Sequence, residues 1–564
     1  MSEISEIRPR SILTWRFVII LCIISITTAI LAQTINIFTP QWAGNSTAIS
    51  SNIPFVIMLF AILIGNLFPR RTSMAHIALV STVASMSTYH FFRNSITEVY
   101  DYFINARTAP APYKELIDWV WGPELQYIQQ MISGGFEDVP WSVWMPSLAW
   151  WMLYGFLWFL FNISFLSIVR RRWIDIELLP YPASYQWTVP IIAAAPERKA
   201  KGLRPSRRFL VFLGGLLIGF FYMWPPVLRF LVPWFPDIYG WSSSPYIPWL
   251  LGWIDATLVR GIGNKVVGLL SIPMNLVTYA TYTLLPLDIL LSAWVTGALL
   301  IIACQVAYLR GHYSGILNVK PVNERKGVLG SLPPFKIFAV YFGIGISIIV
   351  FWLVLNWRYV LDTIRAAIRG PTREEWENEA LPYRVAWGLF VVSIILLMSW
   401  LYAAGLPLAA AVLAILTFFL GHMSSARIYG LSFQRGPVEW SFLSSLTTTC
   451  LFSNVTSTEQ VTPAYVNTVL TAGWPTGWVS YNVTSFAMWF KIAKDVGIRP
   501  RDMFWALFIA FLTASFLSYP VALKVCYKIG LANSVRSVAS KLGLWILKPE
   551  TWQTQPSVRP WWPH

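Results

Sequence analysis

Long apolar runs recur along the whole chain, and several are closed by basic residues. Trp144–Val169 holds about 26 residues without a formal charge, more than the ~20 that cross a hydrocarbon core as a helix. Arg170, Arg171 and Arg172 end it as a membrane stop. The same pattern predicts spans at Ile12–Gln33, Ile53–Phe68, Met74–Phe92, Phe209–Val232, Lys265–Leu285, Leu287–Leu309, Lys336–Asn356, Val385–Ala403, Leu406–Met423, Val466–Phe490 and Met503–Cys526. Ser441–Phe452 is shorter and more polar, in keeping with half of a hairpin. The expected fold is an all-α polytopic membrane protein of about 12–14 transmembrane or re-entrant segments. Ile12–Gln33 is too long for a cleaved leader, whose apolar core is about 7–15 residues, and reads as the first span.

Orientation follows from where the bases lie. Residues 170–208 carry nine Lys/Arg against three acids, whereas residues 93–143 carry three bases against seven acids. The first loop is therefore expected in the cytoplasm and the second outside, with a cytoplasmic N-terminus in a cell membrane. Arg310–Lys336, which includes Lys320, Arg325 and Lys326, is expected on the cytoplasmic side as well. Three regions result: N-terminal helices with an acidic external loop (1–143), a transmembrane core (144–526), and a basic tail rich in Trp and Pro (527–564). The 93–143 loop reads either as a lid or as a docking surface for another protein.

Composition excludes several classes. Hydrophobic residues are 56% of the chain and charged ones 12%, and the mean hydropathy is +0.55; soluble domains carry roughly 25% charge. The net charge of +16 sits at helix ends, where it orients spans, so nucleic acid is not an expected partner and the lipid bilayer is. Cys22, Cys304, Cys450 and Cys526 share no metal-type spacing, and the histidines are dispersed, so neither a metal nor a cofactor is expected. No Walker loop, GxGxxG, HExxH or GxSxG pattern marks an enzyme.

The informative positions are polar groups inside apolar runs, because burying them in lipid is costly. Asp288 follows Pro286 in LLPLDILLSAW and reads either as a coupling carboxyl or as a helix N-terminal acid stabilised by the dipole. Arg229, after Pro225 and Pro226, either snorkels to an interface or meets an anionic solute. Asn275, Gln305, Asn467 and Asn482 are candidates for hydrogen bonds to a neighbouring helix or a solute. Pro273, Pro286 and the Gly473, Pro475, Gly477 interruption mark broken helices that line a pathway. His422, near a helix end, reads as an interfacial histidine or a proton relay.

Arg171–Tyr185 (RRWIDIELLPYPASY) resembles the junction of prokaryotic members of the oligopeptide transporter superfamily. Stretches 271–294, 400–433 and 496–512 follow in the same order, the last with Ile498, Pro500, Arg501, Met503 and Phe504 in matching places. The Asn-Pro-Gly and Lys-Glu-His elements of the peptide-transporting branch are absent, and Leu507 stands where that branch has glutamine. The resemblance implies proton-coupled secondary transport of a peptide-like or metal-chelate solute through two pseudosymmetric halves with re-entrant hairpins. The alternative, prompted by 31 tryptophans and the acidic loop, is a non-transporting subunit that scaffolds a larger membrane complex. A homodimer is compatible with the first reading and unrelated partner chains with the second.

Overall fold

A computed structural model describes residues 12–38, 45–68, 72–93, 122–194, 207–232, 234–241, 244–246, 252–432, 447, 450–452, 454–455, 457–468 and 483–531. The protein is an all-α, multi-pass membrane protein. Among the described residues seven helices are long and apolar enough to span a membrane. Residues 343–369 form a further apolar pair of helices, bent by 64° at Asn356, with the geometry of a broken span or a re-entrant loop.

The principal helices are α1 (Trp15–Phe38), α2 (Asn45–Leu67), α3 (Met74–Arg93), α4 (Leu125–Ser133), α5 (Trp141–Arg170), α6 (Tyr185–Ala194), α7 (Arg207–Leu231), α8 (Leu276–Tyr282), α9 (Leu287–Leu309), α10 (Val322–Ser331), α11 (Ile337–Leu355), α12 (Trp357–Arg369), α13 (Arg373–Asn378), α14 (Tyr383–Ala403), α15 (Leu408–Leu431), α16 (Pro463–Thr468), α17 (Val483–Val496) and α18 (Pro500–Ile529). α1 and α3 pack along α18, and α2 covers α3. One buried cluster therefore joins Leu21, Ile62 and Val83 to Phe159, Phe486 and Phe511.

An aromatic seam fastens α5 to α14 and α15. Tyr154 stacks on Trp400 at 4.1 Å, Trp158 meets Phe418 at 3.7 Å, and Phe165 meets Phe390 at 5.7 Å. Each such pair contributes roughly 0.5–1.5 kcal/mol beyond its burial. Many of the tryptophans thus serve internal packing. Because Trp400 lies near one end of α5 and Phe390 near the other, α5 and α14 run antiparallel.

One expectation needs correction. Lys265–Leu285 is not a spanning helix. It comprises turns, the strand Ser271–Pro273 paired antiparallel with Trp253–Asp255, and the short helix α8. Pro273 has no N–H to give a helix, and the segment satisfies its backbone through the hairpin instead. Arg310–Lys336 lies at the opposite end of the bundle from Arg170–Arg172. Tyr313, Ile316 and Leu329 pack beside Phe335 and Ile337 at the start of α11, whereas Trp352 at its far end donates to Glu177. The 19 residues of α11 separate the two by about 28 Å at 1.5 Å per residue.

The segment around Arg325 is held by one guanidinium. Arg325 is fully buried and donates to the carbonyls of Val319, Val266, Gly263 and Leu317. Asp255 accepts from the Val322 and Thr257 backbones, closing the same knot. Burial pulls the Arg325 guanidinium below its usual range, and Asp255 opposes this. A Cβ on Gly263 would collide with the Thr257 carbonyl. Gly263→Ala is accordingly expected to destabilise this region by about 1–3 kcal/mol, read as faster proteolysis within 252–332 and a lower thermal transition in detergent. Unchanged proteolysis would remove the close approach from the account.

Candidate functional site

The break after α5 builds the site. The helix continues into a π-turn over Arg171–Ile176, which buries Trp173 and Ile174. Tyr181 then takes a left-handed conformation and its N–H donates to the Gly430 carbonyl at 2.8 Å. Opposite it, Thr372 caps α13 by accepting from the Glu375 N–H. That cap starts a single short turn, after which Glu379 is buried at 2% exposure.

Arg170 is not a surface stop: it is 3% exposed. Its guanidinium pairs with Asp175 at 2.9 Å and Glu379 at 2.7 Å and donates to the Asn378 carbonyl. Its Nε has no hydrogen-bond partner among the described residues. Arg171 reaches Glu379 at 3.8 Å and Lys494 reaches Asp175 at 3.3 Å. A second knot joins Arg172 and Arg427 to Glu177 at 3.1 and 2.8 Å. Arg427 lies against both Trp173 and Trp352, 5.6 and 5.5 Å from the ring centres, and the two rings meet each other edge to face at 5.8 Å. Asp175 and Glu177 thus pair with the arginine cluster, Asp175 from a partly exposed position. Burial pushes the Tyr181 phenol above its ordinary range, with Arg427 opposing and Glu177 adding to the shift.

Over this network lies a cavity of about 940 Å³. Its inner wall includes Arg170, Glu379 and Tyr383, and its outer wall includes Asp362, Glu374, Glu377 and Lys494. A guest would meet an exposed acidic rim first and a buried arginine deeper in.

Of the pathway residues chosen from sequence, those the structure describes (Asp288, Arg229, Asn275, Gln305, Asn467, Pro273 and Pro286) do not line this cavity, whereas Arg170 and Arg171, read as a membrane stop, do. Asp288 is exposed in the first turn of α9, directly after Pro286, where the helix dipole favours an acid. Arg229 donates to the Phe235 carbonyl. Gln305 clasps the preceding loop, accepting from the Val267 N–H and donating to the Lys265 carbonyl. Asn275 is packed beside Gly252, and Asn467 beside Gly405. Asn482, Gly473, Pro475 and Gly477 lie outside the described residues. His422 is buried and its ring lies 3.9 Å from that of Phe418, so it is an interior residue.

Sequence reasoning missed Glu379, Tyr383, Arg427 and Lys494 as site residues. The signal for Glu379 was an acid directly before the apolar run ALPYRVAWGLF, where an ordinary surface charge would be set farther from the span.

Fold and site together define a multi-pass α-helical membrane protein with a polar, ion-paired cavity at one end of its bundle. The profile of a family of unknown function, DUF6785, matches residues 7–562, and the chain belongs to that family. No curated protein matches it.

Proposed function

We propose that the protein is a secondary transporter of a peptide-like or metal-chelate solute, coupled to protons and related to the oligopeptide transporter superfamily. The observation that carries this reading is the 940 Å³ cavity walled by the buried Arg170–Glu379 pair at a broken helix. Membrane proteins seldom keep buried charge without a functional reason, and broken helices with backbone turned toward a cavity are the usual setting of transport sites. The acidic rim favours solutes that carry a positive group, as zwitterionic peptides and many chelates do.

The test is uptake into proteoliposomes. Radiolabelled trialanine and an iron(III) chelate are offered with and without an inward proton gradient. Gradient-dependent uptake of either, abolished in protein-free vesicles, is the expected result. No uptake of either solute, together with co-purification of unrelated chains in fixed stoichiometry, would instead establish the scaffold reading. That second reading has one observation in its favour: the membrane-facing stretches of α7 and α9 are almost wholly unburied, exposing Phe220, Phe221 and Trp294.

A further inference from the structure

Serine and threonine in membrane helices ordinarily return their hydroxyl proton to a carbonyl of their own preceding turn. Ser164, Ser167, Thr188 and Ser424 do so here. Ser425 and Thr484 do not: both are buried, at 0% and 1% exposure, and neither side-chain oxygen has a hydrogen-bond partner among the described residues. The same holds for Ser184 and for the phenol of Tyr181, each 0% exposed. Four orphaned hydroxyls are costly, since each gives up its hydrogen bonds to water and gains none in return.

They also belong to one junction. The turn Pro182–Ser184 packs on both α15 and α17, and these two helices pack on each other. α15 and α17 run in the same direction, because Arg427 and Lys494, near their C-terminal ends, reach Glu177 and Asp175. Tyr429 contacts Met488 at 4.0 Å, which fixes their register. Ser425 and Thr484 each stand one turn before that contact, on the same helix face as the residue four positions on. Tyr181, at Gly430, and Trp187, 5.0 Å from Trp489, bracket Ser184 about one helical turn beyond Ser425 and Thr484.

We infer that Tyr181, Ser184, Ser425 and Thr484 form a site for the carboxylate of an organic solute, an inference that rests on the transporter reading above. Hydroxyls can donate to a carboxylate, and the charge around them favours an anion. The segments Pro182–Ala194, Leu408–Leu431 and Val483–Val496 contain a single acid, Asp495, which is paired with Lys491. The adjoining ion network joins five cations (Arg170, Arg171, Arg172, Arg427, Lys494) to three carboxylates (Asp175, Glu177, Glu379). The positive end of α6, which begins at Tyr185, lies beside Ser184. An alkali cation would find neutral oxygens here, but Glu177, the carboxylate that acts on the Tyr181 phenol, is already paired with Arg172 and Arg427.

The experiment is saturation-transfer NMR on the full chain in lipid nanodiscs at pH 7, with sodium acetate and its neutral isostere acetamide as probes. Acetate is expected to bind saturably and acetamide at least tenfold more weakly. Ser425→Ala and Thr484→Val should each weaken acetate at least tenfold, while Thr484→Ser should retain binding. Ser184→Ala supplies an independent variant if either of the others loses its thermal transition. Acetate no better than acetamide, or acetate binding unchanged in all three hydroxyl-deleting variants, overturns the site. Specific acetate binding without uptake of any carboxylate solute in proteoliposomes would leave the site standing and remove the transporter reading. Uptake of trialanine and of its C-terminal amide at equal rates would do the reverse.

Discussion

Arg170→Ala is expected to cost about 3–5 kcal/mol of stability, the range for removing one partner of a buried ion pair. The cost arises less from the lost attraction than from what stays behind. Glu379, 2% exposed, would keep only the Tyr383 hydroxyl at 3.4 Å and the distant Arg171. The Asn378 carbonyl would lose its donor as well. Arg373 offers the contrast: it pairs with Glu377 at 3.2 Å, but the two side chains are 94% and 60% exposed, so Arg373→Ala should change stability by no more than about 1 kcal/mol. Replacing Arg170 and Glu379 together by Met and Leu should recover most of the loss, because no charge is then stranded. Thermal unfolding of the four proteins in one detergent decides the matter. If Arg170→Ala is no worse than Arg373→Ala, the pair is solvated and the cavity's inner wall has been misassigned.

The sequence made the spanning helices legible because apolar length is a one-dimensional property. Leu287–Leu309 was placed at its observed bounds, and the arginine cluster was placed at the end of α5 with its acids beside it. What stayed hidden depends on contacts between distant segments. Glu379 lies 209 positions from Arg170 and Arg427 250 positions from Glu177, and nothing local to either residue reveals the pairing. Asp288 shows the opposite failure. Its neighbourhood LLPLDILL is apolar in sequence, but Pro286 starts a helix there and leaves the carboxylate exposed in the first turn. Gln305, too, looked like a membrane-interior polar group and is instead spent on two backbone atoms of a loop 38–40 positions earlier. The charged residues of the cavity sit at the ends of the apolar runs, as Arg170, Glu379 and Lys494 do. Which of them face one another was settled by breaks in the helices, not by the runs.

Single cysteines at Ser314 and Glu374 are expected to react with a membrane-impermeant maleimide from opposite sides of the membrane. Both positions are exposed; Ser314 belongs to the segment packed at the start of α11, and Glu374 lies on the cavity rim at the other end of the bundle. The background would carry alanine at Cys22, Cys304, Cys450 and Cys526. Charge counting puts Arg310–Lys336 on the same side as the loop after Arg172, whereas residues 357–384, which hold Glu374, mix both signs and give no orientation of their own. Arg325, however, is enclosed by four carbonyls and presents no charge to a lipid surface. With one base consumed in this way, the loop's orienting bias weakens and the crossing of α11 fixes its side. In intact cells one of the two cysteines should label fully and the other only after permeabilisation. Labelling of both from the same side would require that α11 does not cross the membrane, and with it the separation of the Arg325 knot from the Arg170 cavity would fail.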